Sequence, residues 1–251
     1  MLKYFYLILI CTFTSFAAMA QHPKQAVDLY NKAVILKEKG MFLESLDFFR
    51  KAIAVDKKYD SAYLGLASLY ATVSVPDSSI LLLNTAVKIM PAFTSGYMAL
   101  GNLYRDVKHE IDSAIINYQK VLSLDSTEKA ALYGMAWCYN NKGNNREAIT
   151  YAVKALDIDN NYRPAYSELG HAYNKLKAYE ECVAQFKKNL AISVNDLPML
   201  YMGYAYMEMN QNDNVLKMID QLKTVNPRMA ESLQKRLAAK QQQAATGPAQ
   251  P

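Results

Sequence analysis

The chain is 251 residues long, 51% apolar and 20% charged, with nineteen tyrosines against one tryptophan and a net charge of +5. That apolar share suffices for a substantial core, whereas so mild and evenly spread a charge argues against nucleic acid or an anionic membrane surface as partner. Three cysteines are too few for a disulfide framework.

Residues 1–20 read as an export signal: Lys3 supplies the positive start, YFYLILICTFTSF the apolar run, and Ala18-Met19-Ala20 the small-residue cleavage pattern before Gln21. The run is short for a bilayer span and is broken by Thr12, Thr14 and Ser15. Cleavage is therefore expected, leaving no transmembrane segment; a retained membrane anchor is the alternative. Ile10 stands before Cys11, where lipid attachment needs a small residue. Residues 21–25 form a short leader, and the mature chain is expected in a bacterial periplasm, cell envelope or extracellular space.

An octet then recurs: LYNKAVIL from 29, YLGLASLY from 63, YMALGNLY from 97, LYGMAWCY from 132, YSELGHAY from 166 and MLYMGYAY from 199, at intervals of 34, 34, 35, 34 and 33. Such a period marks a repeat architecture. In the third copy Tyr97, Leu100, Gly101 and Tyr104 fall on one face of a helix, and Ala114, Tyr118 and Val121 form a second apolar series. RDVKHEID between them is polar and aperiodic, which predicts a tight turn between two antiparallel helices. The other second helices show Ser45/Phe49/Ala52, Ser79/Leu83/Ala86, Ala148/Ala152/Ala155, Cys182/Phe186/Asn189 and Val215/Ile219/Leu222. Gly101 is expected to face Ala114 so that the two helices cross closely; its counterparts Ala33, Ala67, Ala136, Gly170 and Gly203 are all small. Tyr70, Tyr104, Tyr139, Tyr173 and Tyr206 are expected to bridge neighbouring hairpins. Cys138 and Cys182 occupy apolar slots and read as small buried side chains rather than a bridge.

These residues resemble the tetratricopeptide repeat (TPR) family, most clearly at Tyr97, Leu100, Gly101, Tyr104, Ala114 and Tyr118 and again at Tyr166, Leu169, Gly170, Tyr173 and Phe186. The closing proline of the pattern is present as Pro91 and Pro227 and replaced elsewhere, and the first unit has Lys32 where leucine is expected. The resemblance implies an all-α, right-handed solenoid of six helix hairpins over 26–229, in units 26–59, 60–93, 94–128, 129–162, 163–195 and 196–229. A capping helix over 230–240 would place Met229, Leu233 and Leu237 on the last hairpin, and 241–251 would be a disordered tail. It further implies that the first helices line a concave, partner-binding surface. Chaperone-binding members hold a terminal carboxylate with basic residues; here those positions carry Tyr30, Val34, Gly65, Ser95 and Ala99, so that clamp is missing.

No phosphate loop, nucleophile elbow or zinc motif occurs, and the histidines at 22, 109 and 171 are scattered. No catalysis, cofactor or metal is expected. The expected function is an exported, non-catalytic scaffold for a protein or peptide of unknown identity. Its groove residues would be Asn102, Arg105, Tyr133, Trp137, Asn140, His171, Asn174 and Tyr204. Asparagine pairs with peptide backbone, and Trp, Tyr and Arg dominate interface energetics. Alternatives are a membrane-tethered assembly subunit of an envelope complex, an accessory subunit of an enzyme, and self-association through Val27, Tyr30 and Val34.

Overall fold

The computed structural model describes residues 22–245, which are helical apart from short turns. The expected signal sequence and the last residues of the tail lie outside that range. The chain divides after Leu100 into two compact units.

In the first unit, α1 (Lys24–Glu38) pairs with α2 (Phe42–Val55), α3 (Asp60–Thr72) with α4 (Pro76–Ile89), and α5 (Thr94–Leu103) begins. Its core is laid down in two clusters: Ala26, Ala52, Tyr59 and Ala62, and then Ala33, Phe49, Leu66 and Leu69. His22 is fastened to this unit; its ring stacks on Tyr59 at 4.1 Å and its Nδ1 lies 2.7 Å from Asp56.

The second unit takes in the end of α5, α6 (Ile111–Leu124), and the hairpins α7 (Lys129–Lys142)/α8 (Asn145–Ile158), α9 (Arg163–Lys175)/α10 (Tyr179–Ile192) and α11 (Asp196–Glu208)/α12 (Asn212–Val225). It closes with α13 (Pro227–Ala245). Ala230, Leu233 and Leu237 of α13 are buried against the last hairpin and Met229 packs at its edge. α13 runs on past Lys240, so residues 241–245 are helical where the sequence suggested a disordered tail.

Each of the eighteen second-helix residues picked out by period is at most 2% exposed. Burying an apolar stripe of that kind is what a helix needs to leave water, each large side chain contributing about 1.5–3 kcal/mol. The hairpins share a backbone device at the end of the first helix. Gly40, Ser74, His109, Gly143, Lys177 and Asn210 all have positive φ, which turns the chain back in the left-handed conformation of a helix C-terminus.

Two expectations are corrected. RDVKHEID is not all turn: Tyr104–Lys108 continues the helix as a π-helical turn, so the extra residue of the 35-residue unit is wound into the helix end. And Gly101 makes room for a ring rather than for Ala114, since a Cβ there would lie 2.6 Å from Tyr118 Cε1. Gly134 approaches the same ring from the following hairpin, its Cβ position 2.6 Å from Tyr118 Cζ. Tyr118, fully buried, is thus held between two glycines. The hydrogen bonds in the first unit show why a small partner looked plausible, because Ser45 donates to the Ala33 carbonyl at 2.7 Å.

Of the bridging tyrosines, Tyr70 accepts from Arg50 of the preceding hairpin at 2.7 Å. Tyr173 packs against both large clusters of the second unit, and Tyr206 is buried in the last. Tyr139 instead stacks on Tyr151 of its own hairpin, 5.4 Å between centroids, and Tyr104 lies in the π turn. Cys138 and Cys182 are free and buried, and burial pushes both thiols up to about 12, which leaves them inert.

Candidate functional site

All eight groove candidates stand in the second unit, on or just after first helices. The π turn decides where Arg105 goes. Its guanidinium donates through Nε and Nη2 to the two Asp106 oxygens at 2.6 and 2.8 Å, and lies 5.6, 5.7 and 5.9 Å from the ring centroids of Tyr133, Trp137 and Tyr118. Burial works against the charge of Arg105, but the hydrogen bonds to Asp106 and the nearby phenols outweigh it and hold its pKa above the ordinary arginine value. Arg105 is therefore a fixed cation caged by three rings. Tyr133 and Trp137 sit four residues apart on α7, so their half-buried rings share one face.

Next along the surface, Asn140 donates through Nδ2 to the Glu168 carbonyl at 3.0 Å and to its carboxylate at 2.8 Å. That fixes the amide, and Asn140 Oδ1 is left buried without a hydrogen-bond partner. Glu168 is only 6% exposed. Burial pushes its carboxyl up to about 7, although the Asn140 hydrogen bond and the Arg105 charge both pull it down.

The remaining candidates gather towards α11. The His171 ring meets Phe186 edge-on at 5.5 Å and Tyr201 at 4.4 Å; burial, with the charge of Lys175, lowers its pKa and keeps it neutral. Tyr201 meets Tyr204 at 6.2 Å, and Arg236 of α13 lies 4.7 Å over Tyr204. Asn174 is half-buried on the same side of α9 as His171. Asn102 is occupied internally, its Oδ1 accepting from the Tyr118 hydroxyl at 2.8 Å.

Sequence reasoning missed Glu168, though a trace was there. It is the third residue of its octet, where three other copies carry Gly65, Ala99 and Gly134. The ring that fills the space beside Gly134 is Tyr118, and in repeat register the counterpart facing Glu168 is Ala152. A missing ring on one helix leaves space for a longer side chain on the next. Among the described residues, no group of three or more His, Cys, Asp or Glu side chains could hold a metal ion, and no helix is long and apolar enough to cross a membrane.

The tetratricopeptide repeat family model matches residues 29–59, 130–162 and 164–193. Among characterised proteins, the chain is 25% identical over 175 residues to a probable UDP-N-acetylglucosamine–peptide N-acetylglucosaminyltransferase SPINDLY of Hordeum vulgare, covering 67% of this chain and 18% of that protein. It is 25% identical over 183 residues to the anaphase-promoting complex subunit cut9 of Schizosaccharomyces pombe, covering 70% of this chain and 27% of that one. The chain therefore spans about a quarter or less of the length of these relatives. Among solved structures, PilW, a type IV pilus biogenesis factor, superposes with a TM-score of 0.72 at 18% identity, covering 86% of this chain and 99% of PilW. The fold is that of TPR solenoid proteins, and this chain carries tetratricopeptide repeats.

Proposed function

We propose that the chain is an exported, non-catalytic scaffold that binds a peptide or partner domain on the first-helix surface of its second unit. The observation that carries this reading is the Arg105–Tyr133–Trp137 cluster. It joins the three residue types that dominate interface energetics, and Asp106 holds the guanidinium by two hydrogen bonds. A side chain already fixed loses little entropy when a partner arrives. Tyr204 under Arg236 repeats the pairing at the far end of the surface. The resemblance to a subunit of a multi-subunit complex supports a role in assembly, whereas the N-acetylglucosaminyltransferase is matched over only 18% of its length. The first twenty residues favour export and a bacterial envelope or extracellular location.

The test uses the full chain with its own leader, carrying a photo-reactive phenylalanine at Trp137 or Tyr204, or at the exposed second-helix controls Ile116 and Leu216. Envelope-fraction adducts from Trp137 and Tyr204, on a mature chain beginning at Gln21, are the expected result. Adducts confined to Ile116 and Leu216 would move the binding surface, and a chain retained in the cytoplasm would remove export.

A further inference from the structure

Glu168 and Asn140 present a chemical imbalance that the fold does not resolve. The carboxyl is 94% buried, as its 6% exposure requires, and its hydrogen-bonding partner is the neutral Asn140 amide. Asn140 Oδ1 is a second buried acceptor with no donor at all. Leaving such a group unpaired destabilises the fold, and a buried carboxylate with one neutral donor is under-compensated as well. The cation within range is Arg105, whose Nε and Nη2 donate to Asp106 rather than to Glu168. Arg105 is paired with Asp106, so ionised Glu168 has no cation of its own. The other titratable groups facing Glu168 are Tyr133 and Cys138 of α7, and neither brings positive charge.

One acceptor lacking a donor and a buried carboxylate served by a single neutral amide, beside the Tyr133 and Trp137 rings, describe a receptor for a cation that carries several N–H groups. We propose that the α7–α9 surface takes a lysine or arginine side chain of the partner, whose N–H groups donate to the Glu168 carboxylate and to Asn140 Oδ1. Charge-assisted hydrogen bonds of this kind are about twice as strong as neutral ones, and the neighbouring rings favour a cation further. An acidic segment would instead meet the Glu168 charge, and an apolar one would leave Asn140 Oδ1 unpaired. The inference rests on the proposed binding surface and adds the class of side chain that it selects. The carboxyl, titrating near 7, makes the preference strongest in its ionised form.

Trp137, the one tryptophan of the chain, lies three residues before Asn140 and reports occupancy directly. Its emission is titrated with acetylated, amidated Gly/Ser dodecapeptides that differ only at one central residue: lysine, arginine, norleucine or glutamate. The cationic peptides are expected to bind about tenfold or more tighter than the norleucine peptide at about pH 8.5, with the advantage shrinking at about pH 5.5. Glu168→Gln, which keeps the shape and removes the charge, should abolish the advantage. Equal binding of the lysine and norleucine peptides, or tighter binding of the glutamate peptide, would overturn the cation pocket while leaving the surface itself in place. No response to any of the four would also overturn it. The cross-linking result at Trp137 and Tyr204 separately decides whether the surface binds anything.

Discussion

The two units use the same packing slots in opposite ways. In the first, the small position of the second helix is a serine: Ser45 donates to the Ala33 carbonyl at 2.7 Å and Ser79 to the Ala67 carbonyl at 3.0 Å. Both hydroxyls are buried and both are satisfied. In the second unit the slot holds Ala114, Ala148, Cys182 and Val215, with no such bond to make. Its buried polar groups have moved elsewhere, and three buried oxygens, Asn140 Oδ1, Asn145 Oδ1 and Asn189 Oδ1, have no partner among the described residues. The first unit closes its buried serine hydrogen bonds internally; the second leaves acceptors over. Unsatisfied buried acceptors destabilise a fold, so their concentration in one unit is a reason to look there for function.

The largest effect that would sharpen this contrast concerns the rings. Tyr118→Ala should cost about 3–5 kcal/mol by emptying a fully buried site, read in a thermal or denaturant melt. Phe49→Ala in the first unit should cost as much, because Gly65 crowds that ring as Gly101 and Gly134 crowd Tyr118. The glycines are then the sharper probe. Gly134→Ala should cost about 1–3 kcal/mol through overpacking, and markedly less in a Tyr118→Leu background. Equal costs in both backgrounds would show that Tyr118 is not what the glycine accommodates.

The second effect is confined to the second unit and depends on pH. The Glu168 carboxyl titrates near 7 in the fold against an ordinary value of 4.5. Between those values the folded chain retains a proton that the unfolded chain has released. Stability from this group is therefore greatest below about pH 4.5, falls as pH rises towards 7, and is level above. The full fall is on the order of 3 kcal/mol. Glu168→Gln should flatten the slope of wild type minus variant over that window. A wild-type profile parallel to that of the variant would mean that Glu168 is solvated, and the distinction between a closed and an open unit would fail with it.

How much of this was legible in the sequence varies with the physics behind each feature. The eighteen second-helix positions were readable because helical period and burial are the same fact seen twice. Tyr133, Trp137 and Arg105 were readable as a surface by the same rule. The cage was not, because it depends on a π turn, and one extra residue can be absorbed by a loop or by a helix end without altering the spacing. The ring between Gly101 and Gly134 escaped notice because it joins residues of three helices, while period reports only which face of its own helix a residue occupies. Helical residues 241–245 are polar and alanine-rich, a composition that suits a solvated helix end as well as a disordered chain. Glu168 was visible only as a carboxylate in a slot of small residues, and burial rather than sequence makes it unusual.

The smallest predicted effect bears on why the serines of the first unit are tolerated at all. Ser45→Ala removes a donor from a carbonyl that still accepts within its helix, so the loss should be about 1 kcal/mol. The reverse exchange, Ala148→Ser, is the more telling. If the hairpins of both units cross in the same register, the new hydroxyl lies beside the Ala136 carbonyl as Ser45 lies beside that of Ala33, and the change should be within about 0.5 kcal/mol of neutral in a melt. An unpaired hydroxyl in so tight a site would instead cost about 2 kcal/mol or more. A cost of that size would show that the second unit has lost the acceptor geometry and not merely the serine. Near-neutrality would mean that the same backbone geometry serves both units, with the choice of serine or alanine left to sequence alone.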